Sequence, residues 1–98
     1  MIELREVVRT NSYARNVEAK VNYSVKSIFV NPTHIVLIKE YSNNSIRTNL
    51  LREGKIGESQ NLSSVTVSRG NMSSELTILG SPVEIREKIN SGRGLLNG

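Results

Sequence analysis

His34-Ile35-Val36-Leu37-Ile38-Lys39-Glu40-Tyr41 decides the fold class. Four consecutive aliphatic residues, three of them β-branched, follow the Asn31-Pro32 dipeptide and run into a charged pair. A run this short and this rich in branched side chains reads as a β-strand over 34–41, buried on both faces. Pro32 has no N–H to give to a ladder and holds Asn31 extended, so any preceding strand stops there.

Working back from Pro32, Val17, Ala19, Val21, Tyr23 and Val25 alternate with Glu18, Lys20, Asn22 and Ser24. A period of two marks a half-buried strand or hairpin arm. The phase blurs over Ser27-Ile28-Phe29-Val30, which predicts a bulge or a new strand. Residues 2–9 alternate too, with Ile2, Leu4 and Val8 on one face. Strand is favoured there over helix because Val7-Val8 is β-branched and no cap precedes it.

Working forward, Ser42-Asn43-Asn44-Ser45 is a turn, and 42–61 reads as a long loop punctuated by Gly54 and Gly57. Val65 and Val67 alternate against Thr66 and Ser68; Arg69-Gly70-Asn71 turns the chain; Glu75 to Leu79 returns. Ser81 can cap a helix, Pro82 fits its first position and Glu84 completes a capping box, which predicts a helix over 82–90. Val83, Ile85 and Ile89 form its apolar stripe, and residues 92–98 read as a flexible tail. Strands are therefore expected near 2–9, 24–30, 34–41, 62–69 and 74–79. Strands this short bury a common core by bending, so the expected fold is mainly β: one domain over 1–91, a small five-stranded, strongly bent antiparallel barrel with one C-terminal helix. Its core is expected from Ile2, Leu4, Val25, Phe29, Ile35, Leu37, Val65, Val67, Leu76 and Ile78.

Composition excludes much chemistry. The 98 residues contain no Cys, no Asp and a single histidine, His34, while Asn, Ser and Thr make up 29 of them. Without thiolates there is no cysteine-ligated metal, and one imidazole cannot build a two-histidine site. Without Asp, neither a Ser-His-Asp triad nor an EF-hand loop can form. The expectation is a protein that is not an enzyme and needs no metal or cofactor. The net charge of +4 is spread along the chain, and the longest apolar run, Ile35 to Ile38, is too short to cross a bilayer. With Glu3, Arg5 and Glu6 this close to Met1 no secretory leader is expected, so the expectation is a cytoplasmic protein with no membrane partner.

Two segments carry groups suited to a ligand. Arg69-Gly70-Asn71 offers a guanidinium and an amide, and on turn statistics it is first of all a hairpin turn with Gly70 at positive φ. Asn31 and His34 flank Pro32; His34 could stack on a base, while Asn31 is suited to a local side-chain-to-backbone bond. Glu84 and Lys88, spaced i,i+4, read as a solvated helix face. Gly92-Arg93-Gly94 follows a helix instead of preceding one, so it lacks the geometry of an anion loop.

Phe29-Val30-Asn31-Pro32-Thr33-His34-Ile35-Val36-Leu37-Ile38-Lys39-Glu40 resembles the V-N-P-x-H-I segment of small FlbD-type proteins of flagellar clusters, and of short phage proteins. Glu75 to Ile89 resembles the strand, Ser-Pro and Glu-rich helix with which those proteins end. Val65-Thr66-Val67-Ser68-Arg69-Gly70-Asn71 is similar to the Arg-Gly signature of Sm/Lsm proteins, the bacterial Hfq type included. That likeness implies an Sm-like or SH3-like barrel in which the loops after the second and fourth strands converge. It also implies a homo-oligomer in which strand 62–69 pairs with a neighbour. Asn31, His34, Arg69, Gly70 and Asn71 would then contact RNA or single-stranded nucleic acid. The FlbD-type likeness implies the alternative, a protein-interaction or structural module of a phage or flagellar assembly with no nucleic-acid ligand.

Overall fold

Period-two segments joined by tight turns give an all-antiparallel sheet. A computed structural model describes the backbone of residues 1–12 and 20–97 and the side chains of 1–10 and 22–91. Five strands, β1 (Ile2–Ser12), β2 (Lys20–Val30), β3 (Ile35–Glu40), β4 (Leu62–Arg69) and β5 (Met72–Leu79), form one antiparallel sheet in the order β2-β1-β5-β4-β3. A 3₁₀ turn, Pro32–His34, links β2 to β3; helix α1 (Asn44–Arg52) follows β3, and α2 (Pro82–Asn97) follows β5. No helix among the described residues is long and apolar enough to cross a membrane.

The sheet does not close: β2 and β3 are its two edges. Yet only Asn31 to His34 separate them in sequence. In a flat sheet of five strands the outer two would stand about 19 Å apart. Four residues that include a 3₁₀ turn, rising about 2 Å per residue, do not reach that far. The sheet is therefore curled, and its concave face gathers Ile2, Leu4, Val30, Val65 and Ile78 around Ile85 of α2, with Ile28, Ile35, Ile38, Val67, Leu76 and Ile89 packed against them. A second cluster, Val7, Leu50, Ile56 and Leu62 with Tyr23, Val25 and Tyr41 against it, covers the opposite face beneath α1.

The blurred phase around Phe29 has its cause here. β1 and β2 pair without a slip from Ile2↔Val30 to Ser12↔Lys20, so β2 is one unbroken strand with no bulge. What changes is which face is covered. Leu4 and Ile28 lie under α2, whereas Val7 and Val25 lie under α1 on the other side. Phe29, expected in the core, is 65% exposed because its neighbours Ile28 and Val30 take the concave face. Leu37, also expected inside, is 50% exposed, since β3 is an edge strand and not a doubly covered one. Val17 and Ala19 lie outside the described residues.

The stretch read as a loop over 42–61 contains α1. Asn43 caps it, its Oδ1 accepting from Ser45 N–H at 2.9 Å and from Ser45 Oγ at 2.7 Å. Gly54, at φ 71°, ends it: Gly54 N–H donates to Leu51 O and Lys55 N–H to Leu50 O, the paired bonds of a Schellman terminus. So two helices stand where one was expected. The second starts as expected, with Glu84 N–H donating to Ser81 Oγ at 3.2 Å and Ser81 N–H to Glu84 Oε2 at 3.4 Å. It runs on to Asn97, through the stretch read as a tail. Among its described side chains Ile85 is buried, while Val83 is 62% exposed. Strand 62–69 sits between β3 and β5, so both its edges are already paired and it is not free to pair with a neighbour.

Candidate functional site

The curl leaves one end of the concave face unfilled. On β4 and β5 the cross-strand pairs Val65↔Leu76, Val67↔Ser74 and Arg69↔Met72 step from the core toward the hairpin tip. Across from them lie Ile28, Phe29 and Val30 at the end of β2, followed by Asn31 and His34 of the turn. Between the two sets is a cavity of about 440 Å³ lined by Ile28, Phe29, Val30, Asn31, His34, Val67, Arg69, Met72, Ser74 and Leu76. Its floor is aliphatic. Arg69, His34 and Asn31 are among its lining residues, and Phe29, 65% exposed, stands at its edge.

Three of the five residues nominated from sequence thus share one cavity: Asn31, His34 and Arg69. Gly70 and Asn71 do not line it. They form the two-residue β4–β5 turn beside it, with Gly70 at φ 56°, the backbone such a turn requires. Asn31 has a structural role as well: its Oδ1 accepts from Thr33 N–H at 3.1 Å and from Thr33 Oγ1 at 2.8 Å, which fixes the turn that carries His34. His34 N–H donates to Asn31 O at 3.0 Å. The ion pairs among the described residues are Lys26–Glu6 at 4.0 Å and Lys55–Glu53 at 2.7 Å, so Arg69 has no carboxylate partner there.

Phe29 and Met72 were missed as rim residues. The signal for Phe29 was present: placing Ile28 and Val30 inside leaves Phe29 outside by simple alternation. Met72, 76% exposed, became visible only once the Arg69↔Met72 pairing was known. A second, smaller cavity of about 240 Å³ lies between the starts of α1 and α2. Its Arg47 is already engaged, Nε donating to Gln60 O at 2.9 Å and a terminal nitrogen to Glu58 O, so this arginine pins the 57–60 loop. Compared with protein-family models, with curated proteins and with solved structures, the chain has no significant match in any of the three.

Proposed function

We propose that the chain is a non-catalytic binding module for RNA or single-stranded nucleic acid, and that the cavity between the end of β2 and the β4–β5 hairpin seats an unstacked base. The supporting observation is that Asn31, His34 and Arg69, from two distant segments, line one cavity beside an exposed aromatic ring. Phe29 supplies a face for stacking, Arg69 a charge for phosphate, and His34 with the Asn31 amide supplies groups for a base edge. Gly70 and Asn71 extend the polar rim along the turn. The curled sheet favours an Sm-like, barrel-related reading of the fold. A homo-oligomer, which the Sm-like reading also carries, would repeat a weak site and so strengthen binding.

The competing reading is a protein-interaction module of the phage or flagellar assembly kind. The feature that favours it is the edge strand β3, which exposes Val36 and Leu37. Fluorescence anisotropy separates the two. A labelled single-stranded oligonucleotide, titrated at about 50 mM salt where phosphate contacts are strong, is expected to bind the wild type and to bind Arg69→Ala more weakly. No binding by the wild type under those conditions removes the nucleic-acid reading and leaves the interaction module.

A further inference from the structure

The Asn31 amide can face only one way. A backbone N–H always donates, so the atom that receives Thr33 N–H at 3.1 Å is the carbonyl oxygen Oδ1. Thr33 Oγ1 donates to the same oxygen at 2.8 Å. A carbonyl oxygen has two lone pairs, and Thr33 takes both. What Asn31 has left for a ligand in the cavity it lines is its NH₂ group, which has no hydrogen-bond partner among the described residues. Arg69, lining the same cavity, carries donors alone. His34 and Ser74 can each donate or accept, so they oppose neither kind of ligand. The two groups with a fixed preference are therefore both donors.

Building on the reading of this cavity as a base site, we propose that it selects bases presenting a carbonyl oxygen and disfavours adenine, with Asn31 as the residue that sets the preference. Asparagine usually reads adenine with both ends of its amide, the oxygen accepting from N6 and the nitrogen donating to N7. Here the oxygen is spent inside the turn, so that pair cannot form. Guanine, uracil, thymine and cytosine each carry a carbonyl oxygen that accepts from a donor. Adenine carries none, and its 6-amino group lies beside both N1 and N7. Seating it sets N–H against N–H, and a donor that faces a donor gives up water without gaining a bond. Phe29 does not share the preference, because every base has a π-face.

Hypoxanthine isolates the effect, since it is adenine with the 6-amino group replaced by a carbonyl and the stacking surface kept. Fluorescence anisotropy at about 50 mM salt compares a labelled deoxyinosine hexamer with a deoxyadenosine hexamer. The wild type is expected to bind the inosine hexamer about fivefold more tightly, the effect of about one net hydrogen bond. Asn31→Asp puts an oxygen where Nδ2 stood and keeps the one that holds Thr33, so its thermal melt is expected to stay within a few degrees. The added negative charge lowers the affinity for both hexamers, and the readout is their ratio. That ratio is expected to fall to one or below, because a carboxylate oxygen accepts from the 6-amino group. A purely structural role for Asn31 would lower both affinities and leave the ratio alone. Equal binding of the two hexamers by the wild type, or tighter binding of deoxyadenosine, overturns the proposal while leaving the cavity a base site. A ratio that Asn31→Asp does not change overturns it as well. Binding of neither hexamer removes the nucleic-acid reading itself, and this preference with it.

Discussion

Phe29 at the end of β2 and Arg69 at the end of β4 line the same cavity, although two strands lie between theirs in the sheet. The curl forced by the short Asn31–His34 connection is what brings them together. If Phe29 is the stacking platform of the proposed site, Phe29→Ala will weaken single-strand binding by about 1–3 kcal/mol, the usual worth of one base–aromatic contact. Because the ring is mostly exposed, the melting temperature is expected to stay within a few degrees. Equal losses of binding and of stability would instead assign Phe29 to packing.

Leu50 is fully buried beneath the sheet and anchors α1 to Val7, Ile56 and Leu62. Leu50→Ala is expected to cost about 2–5 kcal/mol, as large-to-small core changes do. Guanidinium melts read this directly. A cost below about 1 kcal/mol would mean that α1 is not held there.

The paired bonds between Ser81 and Glu84 start α2. Ser81→Ala is expected to cost about 1 kcal/mol. For a domain of this length that lowers the melting temperature by about 4–8 °C. In a double-mutant cycle with Glu84→Ala the two effects will not add, because each side chain satisfies the other's backbone N–H.

Much of this was legible beforehand, and the exceptions share a cause. All five strands were placed within a few residues because alternation and β-branching report locally on a pleated surface. The capping box at Ser81 was readable because its signature is contiguous. Helix α1 was not, because Asn43 and Gly54 suit a loop as well as they suit a cap and a Schellman glycine. Phe29 and Leu37 were misplaced for a different reason: burial at each depends on which face a remote helix covers and on which strand ends the sheet. Asn31, His34 and Arg69 could be nominated from residue type and likeness, but their sharing one cavity depends on the curl.

Gly54 offers a clean test of the α1 terminus. A Cβ there meets nothing within 4 Å, so any penalty comes from the backbone at φ 71° alone. Gly54→Ala is expected to cost about 1 kcal/mol and Gly54→Asn less, since Asn enters the left-handed region more readily. Equal costs in thermal melts would show that the helix ends some other way.

The most direct test of the proposed function is the salt dependence of single-stranded oligonucleotide binding between about 50 and about 200 mM. For single strands the slope of log K against log salt is about −0.7 per phosphate contact. The wild type is expected to show a distinct negative slope, and Arg69→Ala a slope shallower by about one contact. Binding that is insensitive to salt, or a slope that Arg69→Ala leaves unchanged, would contradict the assignment of this cavity to nucleic acid.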